Sequence, residues 1–383
     1  MFRCSTRRSR ALSKVMVVAV VVLAGFVGFA STMSVAHANG HTSAPSASPT
    51  PSASPTPPGK PTGATPEIFG NGGDTGQWAR GATSNAYCNG HLYTGWTGSD
   101  GHVNVAWDYN GSSAFNHQVA YADTTWYSYS TTPDTFTRPA LACWTKSGDT
   151  ARLWILFTGT NNLLYLGYLD PADESQPFET VRTHYSATQQ HTQVPNEKSN
   201  RSPALSPQGS TLRIGWTGQT SRNLFFESTS NAATFFNRNV NSNNTADGGF
   251  GMTVWCVSGV CKLWFAFPGT DSQHHIYYVY FNLSSGAWSS SHGIADFTCA
   301  ICDLTLVLQG GTLRIPYAGA GLYPGINVDS STNGTSWSNE PGTDGAIWGA
   351  GGAVDGANHF WITYPNWNTL DPNNLQILIF RYN

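Results

Sequence analysis

Three arginines, Arg80, Arg138 and Arg201, each stand just ahead of an apolar segment, with a carboxylate a few residues before: Asp74, Asp134 and Glu197. Guanidinium forks fixed in this way can hold a carboxylate or sulfate through paired hydrogen bonds. Two neighbouring carboxyls would supply the acid and base of glycoside cleavage. Asp74, Asp134 and Glu197 are thus the candidate catalytic residues, and the three arginines candidate ligand holders. Asp100, His102, Arg222 and Asp271 recur in position but not in identity, and they join the ligand-binding candidates. The alternative is solvated loop charge and local ion pairing. On the binding reading, Arg138→Ala abolishes binding of an acidic ligand and leaves melting unchanged. His274 and His275 are adjacent, so on a strand they point to opposite faces and make no metal pair. No HExxH, nucleophile elbow or phosphate-cradling loop occurs. No metal or cofactor is expected.

These residues hang on a repeat. Copies of Leu/Phe-x-x-x-aromatic followed by a turn start at Leu92, Leu153, Leu212, Leu263, Leu313 and Phe360, spaced 61, 59, 51, 50 and 47 residues apart. A further apolar segment precedes most copies. Each unit offers three short strands of period-two alternation and a poorer fourth. Such units predict an all-β fold: a six-bladed β-propeller of four-stranded antiparallel blades spanning 66–383. A two-sheet sandwich is the competing arrangement. The last copy lacks a fourth strand, so a strand near Ile68 is expected to complete it and close the ring. Trp96, Phe157, Trp216, Phe267, Tyr317 and Tyr364 share one repeat position and are expected to pack between blades.

Six cysteines follow residue 65, an even count that predicts disulfides in an exported chain. A Ser258-Gly259 turn pairs Val257 with Val260 and sets Cys256 opposite Cys261, where side chains approach closely enough for a bridge. Cys299 and Cys302 can bridge if the chain turns between them. Cys88 and Cys143 are left to pair across adjacent blades.

Charged residues make up 11% of the 383-residue chain, against 13% aromatic. Low charge with many aromatics describes a packed, turn-rich body rather than a disordered one. From Pro66 onward the net charge is −9, with no basic stripe, which argues against nucleic acid as partner. Residues 1–38 read as a secretory signal: Arg7, Arg8, Arg10 and Lys14, an apolar run from Val15 to Phe29, then Ala36-His37-Ala38. Cleavage would leave no membrane span. Residues 39–65 are a Ser/Pro-rich disordered spacer. A secreted protein, with a spacer suited to the cell wall, is the expected setting, and a monomer the expected state.

The stretches Gly95–Val105, Gly215–Phe226 and Phe267–Tyr278 resemble repeat units of secreted bacterial sialidase-like (BNR-type) propellers. Two degenerate copies of that family's Asp-box support the resemblance. One keeps Ser330, Gly334, Ser336 and Trp337, with Thr332 at the Asp position; the other keeps Ser228 and Thr234, with Phe235 for Trp. Arg314-Ile315-Pro316 spells the family's Arg-Ile-Pro, but it aligns with Leu212-Arg213-Ile214-Gly215, so the repeat accounts for it. The resemblance implies a glycan partner without choosing among lectin, glycosidase and ligand-free module. The leading expectation is a non-catalytic, lectin-like propeller that binds glycans or another extracellular polymer. The alternatives are a glycoside hydrolase or lyase acting on an acidic sugar at the channel mouth, and a protein-interaction scaffold.

Overall fold

The computed structural model describes residues 78–98, 101–109, 115–120, 137–159, 161–169, 192–297, 303–319, 325–345, 348–366 and 375–382. These residues form strands and turns with no helix, and so none long and apolar enough to cross a membrane. The segments expected to be signal and spacer, the expected closing strand near Ile68, and Cys299 and Cys302 lie outside the described residues.

The strands build six sheets. A two-residue strand, β1 (Trp78–Ala79), comes first. Blade one is β2 (Ser84–Cys88), β3 (His91–Thr97), β4 (Val103–Tyr109) and β5 (Phe115–Ala120). Blade two is β6 (Ala140–Thr145), β7 (Ala151–Thr158), β8 (Leu163–Tyr168) and β9 (Thr192–Lys198). Blade three is β10 (Ala204–Gln208), β11 (Thr211–Thr217), β12 (Asn223–Thr229) and β13 (Phe235–Thr245). Blade four has β14 (Gly251–Val257), β15 (Val260–Pro268) and β16 (His275–Asn282), with its outer edge split between β17 (Ala287–Trp288) and β18 (His292–Phe297). Blade five is β19 (Val307–Gln309), β20 (Thr312–Ala318), β21 (Gly325–Ser331) and β22 (Ser338–Gly345). Blade six is β23 (Gly351–Val354), β24 (Phe360–Pro365) and β25 (Leu375–Tyr382), and β1 supplies its fourth strand. The ring therefore closes as expected in kind, with Trp78–Ala79 as the closing strand.

All six repeat starts fall in second strands, and the shared aromatics Trp96, Phe157, Trp216, Phe267, Tyr317 and Tyr364 are at most 2% exposed. Alternation sends one set of side chains of each blade into each neighbouring seam. The first strands touch in a closed circle, β2 to β6, β10, β14, β19, β23 and back to β2. Their backbones approach so closely that glycine is required in places. A Cβ on Gly351 would lie 2.8 Å from Ser84 Cα, and one on Gly251 would fall on the Leu306 amide.

The hairpin turns between first and second strands follow the residue chemistry. Asn89-Gly90, Ser258-Gly259 and Gly310-Gly311 all take positive φ, the geometry of a two-residue type I′ turn. Cys256 pairs with Cys261 next to that turn and is bonded to it. Cys88 and Cys143 join blades one and two, with Cα atoms 5.0 Å apart.

The degenerate boxes form the same turn one step out of the expected register. In one, Asn333 Oδ1 accepts the Thr335 and Ser336 amides at 2.8 Å each, and Ser331 Oγ accepts that of Gly334 at 2.8 Å. In the other, Asn231 Oδ1 accepts Ala233 and Thr234, and Thr229 Oγ1 accepts Ala232. Asn333 and Asn231, rather than residues 332 and 230, therefore carry the turn, because a side-chain carbonyl does what a carboxylate would.

Strand register defines equivalent positions around the axis. Two residues before each first strand, or four before the shorter β19, stand Ala82, Arg138, Ser202, Gly249, Asp303 and Gly349, all at one register position. Arg138 reaches across this circle from blade two to blade five. Its Nη2 donates to Leu304 O (2.6 Å), and its Nη1 to Thr305 Oγ1 (3.0 Å) and Thr83 O (3.2 Å). Its Nε is 3.8 Å from Asp303 Oδ2. Asp303 also accepts the Gly249 amide (2.7 Å) and the Ser202 hydroxyl, which in turn accepts the Arg138 amide (2.8 Å). Thr305 Oγ1 bonds to Ala350 O, bringing in the sixth blade. Burial pushes the Asp303 carboxyl up and the Arg138 guanidinium down, and their mutual attraction offsets part of this.

Asp303→Ala strands a buried cation and is expected to cost about 3–5 kcal/mol. Arg222→Ala removes a half-exposed ion pair and should cost under about 1 kcal/mol. Denaturant titration of both variants checks the contrast. Gly251→Ala overpacks the inner circle and should cost about 1–3 kcal/mol by the same assay.

Candidate functional site

The structure separates the three arginines. Arg138 lies two residues before its first strand, Arg201 three and Arg80 four. In an extended stretch one step turns a side chain to the other side. Arg138 therefore enters the axis, is 4% exposed and serves as a structural tie. This corrects its expected place on the rim, and melting should not survive its removal unchanged. Asp303 is the axial carboxylate in blade five. The signal for it was its position directly before the apolar Leu304-Thr305-Leu306.

Arg80 is half-buried and its amide bonds to Thr97 O. Asp74, Asp134 and Asp100 lie outside the described residues. His102 is half-buried, its carbonyl accepting the Gly98 amide and the Asn104 side chain. Asp271 holds its own loop, accepting Gln273 N (3.0 Å) and His275 Nδ1 (2.9 Å). Arg222 meets Asp247 (2.5 Å), whose other oxygen is 3.3 Å from His274 Nδ1. His274 and His275 thus serve separate aspartates. Among the described residues no group of three His, Cys, Asp or Glu is placed to hold a metal.

Glu197 lies elsewhere. It sits in β9, at the seam between blades two and three, and Arg238 of β13 clamps it with Nε and with Nη2 (3.1 Å). Arg238 is half-exposed and lies over the Phe225 ring at 4.7 Å, which stacks on Trp216 at 5.5 Å. Beside them, Glu227 of β12 is 6% exposed, and its Oε1 has no hydrogen-bond partner. Burial and then the Glu197 charge raise its pKa to about 7, against the opposing pull of Arg238.

Register shows how unusual Glu227 is. It pairs with Ile214, and the same position in the other blades holds Ala106, Gly167, Val279, Asp329 and Phe380. Asp329 is the one other carboxylate there, and Asn339 Nδ2 donates to it at 2.9 Å. Blade five thus gives its carboxylate one side-chain donor, and blade three gives Glu227 none among the described residues. Neither Glu227 nor Arg238 stands out in the linear pattern, although a carboxylate after Phe225-Phe226 in a charge-poor chain was a usable signal.

Cations cap other seams as well. Arg314 lies over Phe360 (5.7 Å) and Tyr382 (5.4 Å), and Lys262 over Tyr280 (4.0 Å). Arg314 thus packs against blade six, as a repeat residue would.

No protein-family model and no curated protein matches the chain. Solved structures share the fold at low identity. A fungal lectin from Aleuria aurantia, described as a six-bladed β-propeller with a novel fucose recognition mode, has a TM-score of 0.51 at 11% identity, covering 77% of this chain and 93% of that one. A single-residue mutant of that lectin in complex with Fucα1-6GlcNAc gives 0.51 at 11%, covering 78% and 94%. AofleA from Arthrobotrys oligospora gives 0.51 at 10%, covering 80% and 85%. The chain is a six-bladed β-propeller.

The Glu227 pKa has a measurable consequence. Its folded value of about 7 lies above the ordinary 4.5, so the folded protein holds an extra proton between the two. Stability from this group is full below about pH 4.5 and is lost as pH rises toward 7. Relative to Glu227→Gln, the wild type should lose about 1–2 kcal/mol over that window, solvent at the half-exposed Arg238 screening part of the shift. Urea midpoints at pH 4.5 and 7.5 measure the difference.

Proposed function

We propose that this protein is a secreted, non-catalytic, glycan-binding propeller whose blade two–three seam takes a sugar. The observation that carries this reading is the unpartnered, buried Glu227 carboxyl beside the Arg238–Glu197 clamp. An unmet buried polar group costs about 1–3 kcal/mol, which a ligand hydroxyl would recover. Glu227 accepts from or donates to a sugar hydroxyl, the exposed side of Arg238 donates to a second, and Phe225 backs the guanidinium. The neutral ring of a sugar suits these groups, and the fucose lectins of like fold make a fucosylated glycan the first choice. Two disulfides support an oxidising, extracellular setting. The sialidase-like resemblance of the repeats likewise implies a glycan, without choosing which.

One observation favours a second reading, glycoside hydrolysis. Glu227 keeps its proton near neutrality beside the arginine-clamped Glu197, and carboxyls with unlike environments make an acid–base pair.

A glycan array with the purified chain tests both. The expected result is a signal on neutral, fucosylated glycans that falls at least ten-fold in Glu227→Ala and less in Glu227→Gln. Undiminished binding by Glu227→Ala defeats the proposed site. Release of reducing sugar from the bound glycans, abolished in Glu227→Gln, would establish the hydrolase instead.

A further inference from the structure

Four loops meet at the rim between blades three and four. They carry Arg201 before β10, Arg222 between β11 and β12, Asp247 before β14, and His274 between β15 and β16. The loops are tied to one another through backbone. Ala246 N donates to Arg222 O (3.0 Å) and Asp247 N to Pro268 O (3.1 Å). Asp247 is fully engaged: Arg222 takes one oxygen and His274 stands at the other.

Arg201 is held in place but not satisfied. Its backbone is pinned: its amide donates to Ser199 Oγ (3.0 Å), and its carbonyl accepts Ser199 Oγ (3.0 Å) and Thr158 Oγ1 (3.2 Å). Its guanidinium, in contrast, makes no hydrogen bond or ion pair with any described residue, and its Nε is buried without a partner. Burial draws its pKa down and the Arg222 charge adds to that; Asp303 and Asp247 act against it from beyond bonding distance. Two guanidiniums and one carboxylate leave one positive charge uncompensated here, in a body of net negative charge. A half-buried cation costs free energy until an anion joins it.

We propose that Arg201 anchors an oxyanion site, where its fork takes the carboxylate or sulfate group of an acidic saccharide, with the exposed side of Arg222 as the second positive contact. A guanidinium fork holds one oxyanion bidentately. This site lies one seam on from Glu227 and is of opposite chemistry, charged where the other meets hydroxyls. It does not depend on the neutral-sugar reading.

The test is calorimetric titration of the full chain with sodium sulfate, methyl β-D-glucuronide and methyl β-D-glucoside at low and moderate salt. Sulfate, the glucuronide or both should bind, more weakly as salt rises, and the glucoside should not. A stronger response to sulfate identifies a sulfate ester as the source, and a stronger response to glucuronide a uronic acid. Arg201→Ala should weaken the anion at least ten-fold while melting as the wild type does, since the side chain makes no bond in the fold. Arg201→Lys should recover only part of the affinity, the charge being kept and the fork lost. Glu227→Gln should leave anion affinity unchanged, which separates failure of this site from failure of the seam. No anion binding up to tens of millimolar, equal binding of the glucoside, or unchanged affinity in Arg201→Ala would overturn the proposal.

Discussion

The ring is organised by one charge that crosses its axis. Arg138 leaves blade two and ends on the far side, at Asp303, Leu304 and Thr305 of blade five. Everything around it is cut to fit. The equivalent positions in blades one, four and six are Ala82, Gly249 and Gly349, because a larger side chain would occupy the space that the arginine and its partner fill. A Cβ on Gly249 would stand 2.5 Å from Asp303 Oδ1. The tie is expensive in itself, since burial works against both charges. Its role is best understood as specifying one arrangement of six nearly equivalent blades, as buried polar groups do when they fix register elsewhere.

That tie also explains why the rim was harder to read than the body. Blade number, strand pairing, core aromatics and two disulfides follow from alternation, turn residues and counting, all of which act locally. The difference between Arg138 and Arg201 does not. Both precede a Pro-Ala-Leu segment, separated from it by no residue in one case and by Ser202 in the other. That single step decides whether the side chain enters the axis or faces the loops. The shifted boxes teach the same thing. Asn231 and Asn333 hold the turns because the hydrogen-bond geometry selects an acceptor, whatever letter a consensus expects there.

Glu227 was hidden for a different reason. Its surroundings come from three strands in two blades, and no window along the chain contains Glu197, Trp216 and Arg238 together. Register exposes Glu227 at once, since its counterparts in the other copies are mostly apolar or glycine. The two seams flanking blade three thus differ in charge: a buried carboxyl with an unpartnered oxygen on one side, a half-buried guanidinium with an unpartnered nitrogen on the other.

Closure of the sixth blade joins strands from opposite ends of the described residues. Trp78 and Gln376 are paired across about three hundred residues of chain, whereas the other hairpins join neighbours. Contacts so distant are formed late, once the intervening segments have collapsed and shortened the effective loop. A growing chain could pair each of the first five blades as it emerged, but its first strand would wait for its last. The molecule is therefore a poor candidate for vectorial completion: until Leu375 and Gln376 of β25 arrive, β1 is held only by its bridge to Gly98 of blade one, and the ring is an open arc.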